Sequence, residues 1–99
     1  MTGVVEFLEA RISEDEKRAT YVREYGDTGG LFSPARVLAE CESKRAVIAV
    51  HESYARAVPE SVGIAAIGAR CGQEVTADAL KALAAVYKDH PDYQQEWAL

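Results

Sequence analysis

Residues 33–58, SPARVLAECESKRAVIAVHESYARAV, constrain the fold more than any other stretch of this chain. Ser33 followed by Pro34 reads as an N-cap hydroxyl and a first-turn proline, whose missing N–H costs nothing there. The helix is expected to end at Pro59, since proline cannot continue it. At roughly 100° per residue, Val37, Cys41, Ile48 and Ala55 fall on one line, and Val47, Tyr54 and Val58 widen it. The pattern predicts a long amphipathic helix. Its apolar stripe has to be covered by something else in the chain.

The first cover is a helix predicted over about residues 2–25, with Val4, Leu8, Ile12, Ala19 and Val22 in its stripe and Val5 beside them. Asp15 sits inside that stripe, where an apolar residue belongs. Lys44 and His51 hold the corresponding place on the second helix. An unpaired buried charge is expensive, so Asp15, Lys44 and His51 are expected to pair with one another or reach solvent. Between the helices, GDTGGLF (residues 26–32) is turn chemistry with three glycines in five residues. A short link of this kind predicts an antiparallel hairpin, with Leu31 and Phe32 placed for a hydrophobic staple.

Beyond Pro59, residues 60–69 are expected to form a short helix, with a loop packed over the hairpin as the alternative, and Cys71-Gly72 a turn. Thr76 then reads as the cap of a helix to about Lys88, with a stripe of Leu80, Leu83, Ala84 and Tyr87. A last turn from Pro91 places Tyr93 and Trp97 on one side. Tyr87, Tyr93 and Trp97 are therefore expected to dock this tail onto the hairpin, near Tyr54 or the first helix. The fold class is all-α, a long antiparallel helical hairpin covered by a C-terminal helical segment, in one domain over residues 1–99.

Three blocks carry a family resemblance. They are EFLEAR with the following EDE (residues 6–11 and 14–16), SPARVLAE with Lys44-Arg45 and His51, and residues 80–97, above all DHPDY and Glu96-Trp97. Together they resemble a family of small proteins from actinobacteria and their phages, known only as a domain of unknown function. The resemblance implies such an origin and supplies no activity. Members of that family usually carry a longer segment between the first two helices, and some carry Cys-x-x-Cys near Cys71. Here Cys71-Gly72-Gln73-Glu74 lacks the second thiol, so no zinc site is carried over.

Composition narrows the functional classes. A formal net charge of −5 disfavours nucleic-acid binding, which needs basic patches. Only Cys41 and Cys71 are present, so a disulfide framework is not expected. No leader pattern and no membrane-length apolar run is visible, and the expectation is a cytoplasmic protein. Glu6-x-x-Glu9 with Glu24-x-x-Asp27 resembles the carboxylate pattern of all-helical nucleotide pyrophosphohydrolases, where four acids on facing helices hold magnesium against a phosphate chain. Acids at this density recur by chance among 16, and Glu6 and Glu9 point away from the stripe, so a solvated acidic face is the simpler reading.

His51 and His90 with Asp15 or Asp89 are too scattered for a metal site, and no metal or cofactor is expected. Cys41 reads as a core residue. The Gly- and Ala-rich run over residues 62–69 offers either small-residue core filling or a self-association surface. The leading expectation is a non-enzymatic protein-interaction module, a phage or prophage accessory protein acting on a host protein, with self-association as the second partner reading. The enzymatic alternative is a metal-dependent hydrolase that uses Glu6, Glu9, Glu24 and Asp27.

Overall fold

A computed structural model describes residues 3–26 and 33–99. Three helices carry the fold: α1 (Val4–Tyr25), α2 (Pro34–Glu60) and α3 (Gly63–Ala84). Two short 3₁₀ turns follow, Ala85–Tyr87 and Gln95–Trp97. The connector carrying Leu31 and Phe32, and Asp27 with it, lies outside the described residues.

The N-terminus of α2 forms for the reason its sequence suggests. Ser33 Oγ accepts the backbone N–H of Arg36 at 3.3 Å, and Pro34 occupies the first helical position. At the other end the helix includes Pro59 and runs one residue further, to Glu60. The ring fixes φ near −65°, a helical value, so a proline in the last turn removes one bond without bending the chain out of the helix. Ser61 then leaves the helix with extended dihedrals.

The expected break within residues 60–76 is absent. Gly63 to Ala84 is one continuous helix, which corrects the short helix, the Cys71-Gly72 turn and the Thr76 cap. Gly63 opens it at φ +63°, the left-handed region where a side chain is strained, and this lets two residues reverse the chain after α2. Thr76 caps nothing. Its hydroxyl donates to the carbonyl of Gly72 at 2.7 Å, a bond back along its own helix. Gly72 remains helical because tertiary contact overrides its poor propensity. A Cβ there would stand 2.4 Å from the ring of Tyr54, so glycine permits α2 and α3 to approach closely.

Because the link is so short, α2 and α3 run antiparallel, and their side-chain contacts step in opposite directions. Tyr54 meets Gly72, His51 meets Thr76, and Lys44 meets Tyr87. This is the long hairpin, and α1 lies on it as the further helix. The core gathers Phe7, Leu8 and Ile12 of α1, Cys41 and Ile48 of α2, Leu80 and Ala84 of α3, and Trp97 of the tail. Each large apolar group buried there contributes roughly 1.5–3 kcal/mol. No residue of α2 after Ile48 is buried, and none of α3 before Ala69. The turn end of the hairpin therefore stands out from the core.

Candidate functional site

Two places on the molecule gather chemistry: a polar seam where the tail crosses α1 and α2, and the outward face of α3.

The seam is built on Tyr87, held at the 3₁₀ turn after α3. Its hydroxyl donates to Asp15 Oδ2 at 2.7 Å and accepts from Lys44 Nζ at 2.9 Å. The stripe acid of α1 and the stripe base of α2 thus meet through a phenol. Burial, followed by the bond to the Asp15 carboxylate, pushes the Tyr87 hydroxyl well above its ordinary range. His51, expected in this cluster, is elsewhere. Its Nδ1 lies 2.7 Å from Thr76 Oγ1, and since that hydroxyl's proton goes to Gly72, the imidazole donates. The physical reason is position along α2, because His51 is two turns beyond Lys44 and faces α3.

A second group lies beside the first. Arg11 is buried, its Nη2 donating to Glu14 Oε1 at 3.0 Å and its Nη1 standing 2.7 Å from His90 Nδ1 and 3.7 Å from Asp92 Oδ2. The Asp92 backbone N–H also points at His90 Nδ1, at 3.0 Å. Arg11 Nε has no hydrogen-bond partner among the described residues. The guanidinium lies 5.3 Å from the Phe7 ring centroid, so its hydrocarbon and its charge both serve packing. Sequence reading missed Arg11. It falls next to Ile12, one place off the predicted stripe, and only the DHPDY block hints at its partners.

The seam fastens the tail. Phe7 is ringed by Tyr87, His90, Tyr93 and Trp97, with centroid separations from 5.0 to 6.2 Å. Trp97 is buried against α1 rather than near Tyr54, through a 3₁₀ turn instead of a helical one.

The carboxylates of the alternative enzyme are dispersed. Glu6, Glu9 and Glu24 are exposed on the single helix α1, and the fifteen residues from Glu9 to Glu24 span roughly 22 Å. They form no common cleft, and Asp27 is outside the described residues. Among the described residues, no group of three His, Cys, Asp or Glu side chains is disposed to hold a metal ion. Elsewhere on α1, Glu16 is paired with Arg45 of α2 at 2.7 Å, and that bond holds its carboxyl below the usual range. Cys41 is buried, which pushes its thiol up and leaves it a small core residue. Cys71 is exposed.

The outward face of α3 has no partner among the described residues. Ile64 is 88% exposed, Ile67 58%, Val75 69% and Val86, just past the helix, 69%. Gly68, Cys71, Ala79 and Ala82 lie between them on the same face, also exposed. Scattered surface valines need no explanation; a contiguous apolar stripe does. The expected self-association run, residues 62–69, is its first third. The remainder was concealed by reading Cys71-Gly72 as a turn. The signal was in the spacing, since Ile64, Val75 and Val86 recur every eleven residues.

Among the described residues, no helix is long and apolar enough to cross a membrane. A family model described as a family of unknown function (DUF6221) matches residues 1–99. No curated protein and no solved structure matches the chain.

Proposed function

The chain belongs to this family of unknown function, and from that premise we propose that it is a non-enzymatic protein-interaction module. The partner is a host protein or a second copy of the chain, in the phage or prophage setting that the sequence resemblance suggests. The observation that carries the reading is the exposed apolar face of α3, which continues along the whole helix while the opposite face supplies Ala69, Leu80 and Ala84 to the interior. A surface helix ordinarily turns polar residues to water. Here Glu74 and Lys81 lie at the flank of the face, and Ile64, Cys71, Val75 and Ala82 occupy its middle. A central apolar strip with a charged edge is the composition of a protein interface.

The test uses the purified chain as bait in an actinobacterial lysate, beside Val75→Lys. Val75 is exposed, so the substitution leaves the fold intact and places a charge in the strip. Loss of the captured partner with Val75→Lys supports the reading. Magnesium-dependent hydrolysis of nucleoside triphosphates, abolished in Glu9→Ala, would overturn it in favour of the enzyme.

A further inference from the structure

We propose that the partner of the α3 face is a second copy of this chain, and that the two α3 helices pair antiparallel about a two-fold axis level with residue 73. The inference rests on the reading of α3 as a docking surface and adds its occupant and register.

The first argument is periodicity. Ile64, Gly68, Cys71, Val75, Ala79, Ala82 and Val86 advance by four, three, four, four, three and four residues. An eleven-residue repeat of this kind holds a stripe nearly straight along an α-helix, whereas a seven-residue repeat drifts around it. The stripe runs the full α3, about 33 Å. It therefore suits a long straight helix better than a short peptide.

The second argument is size. The isoleucines of the face, Ile64 and Ile67, lie at one end of α3, and its alanines, Ala79 and Ala82, lie at the other. A parallel pair would oppose isoleucine to isoleucine and leave alanine facing alanine. In an antiparallel pair centred level with residue 73, Ile64 faces Ala82 and Cys71 faces Val75, each twice by symmetry. Large then fills against small where Ile64 meets Ala82, as close packing requires. Val86 falls level with the opposite hairpin turn, near Val62, itself 86% exposed.

The third argument is charge. Asp78 is the only ionisable acid or base within the stripe, and it is exposed. In the same register Asp78 faces Gly68, the residue that leaves it most room. Among the described residues, nothing outside its own helix backbone and its two neighbours lies within 4 Å of where a Gly68 Cβ would be. Arg70, on the flank, then lies level with the span between Asp78 and Glu74 of the other copy. One register satisfies size and charge together, and it does so with the face's own sequence. A foreign partner would match it only by coincidence.

The test is the mass of the native assembly together with thiol trapping. The wild-type chain is expected to sediment as a two-chain species at micromolar to millimolar concentration, and Val75→Lys as a single chain with an unchanged helical spectrum. In Val75→Cys, the new thiol is level with Cys71 of the second copy and within disulfide reach. Oxidation should give a covalent dimer. In Cys71→Ser with Val75→Cys, the two introduced thiols are four residues out of level, about 6 Å along the axis, beyond easy bridging. No cross-link is expected there.

A cross-link that persists without Cys71 would mean a parallel pair and would overturn the proposal. So would a wild-type chain that remains single throughout the concentration range. A single chain that still captures another protein through Val75 would overturn the second copy alone. A single chain that captures nothing by this face would overturn the docking reading as well.

Discussion

The indole of Trp97 lies against the phenyl ring of Phe7, their centroids 5.0 Å apart and their planes inclined at 53°. Tyr93 stands edge-on to the same indole at 5.5 Å. The last described turn of the chain is thus held by the second turn of α1, in offset geometries that aromatic pairs favour. A terminal segment frays unless something ties it down. Here two rings and the Arg11 guanidinium do so.

Trp97→Ala is expected to destabilise the fold by about 3–5 kcal/mol, a large part of what a domain of this size has. Removal of the chain after His90 should cost at least as much, since Tyr93 goes too. Emission from the single tryptophan should be blue-shifted in the wild type. Water-like emission, with a melting temperature unmoved by the truncation, would mean that the tail is free.

Tyr87 links stability to alkaline pH. Its hydroxyl keeps its proton in the folded chain above the ordinary value of 10.0, whereas the unfolded chain loses it there. The unfolded state then binds fewer protons, so stability falls as pH rises above 10 and is complete below it. Tyr87→Phe should flatten that alkaline limb. At neutral pH it should cost about 1–3 kcal/mol, because Asp15 loses its donor inside the seam. Denaturant unfolding across pH 8 to 11, wild type against variant, decides the matter.

The Glu16–Arg45 pair works in the opposite direction. A carboxyl held below its ordinary value stabilises the fold above the carboxylate range, and the contribution disappears as pH falls through it. Both side chains are more than a third solvent-accessible, 34% and 42%, so the effect is small, about 0.2–1 kcal/mol, and weaker in salt. A double-mutant cycle of Glu16→Gln with Arg45→Gln, measured at low and high salt, should return a coupling of that size. A salt-independent coupling would be wrong for this geometry.

Gly68 and Gly72 are expected to respond differently to alanine. At Gly72 the new Cβ meets the Tyr54 ring at 2.4 Å, and overpacking of this kind costs about 1–3 kcal/mol, partly offset by better helix propensity. At Gly68 nothing is near, so Gly68→Ala should add about 0.5–1 kcal/mol when measured on the single chain. Combining Gly72→Ala with Tyr54→Ala should recover stability. Equal effects at the two glycines would refute a close approach at Gly72.

The course of α1 was legible from its 3.6-residue periodicity alone, and the start of α2 because the Ser33-Pro34 cap and the periodicity agree there. The course of α3 was not. Gly63, Gly68, Cys71-Gly72 and Thr76 each resemble punctuation, yet only Gly63 breaks anything, because a helix interior tolerates a glycine at about 1 kcal/mol when a neighbour such as Tyr54 needs the space. The glycine link over residues 26–32 points to a hairpin of the first two helices, whereas the turn of two residues is the one that joins α2 to α3. The polar residues Asp15 and Lys44 stood out as misfits in apolar stripes, but their mediator, Tyr87, sat in a stripe itself and looked apolar. Apart from Glu14, three residues on, the partners of Arg11 are His90 and Asp92 in the tail, where nothing local to α1 announces them.

Arg11 and His90 are separated by 79 positions, and that distance has a consequence for synthesis. While the chain is being made, the face of α1 that bears Phe7 and Arg11 emerges first and its cover emerges last. Until His90 and Trp97 leave the ribosome, the apolar half of this patch is exposed to every other nascent or unfolded surface nearby. Glu6 and Glu9 are exposed and point away from that patch, so they cannot cover it, and its closure waits for the tail.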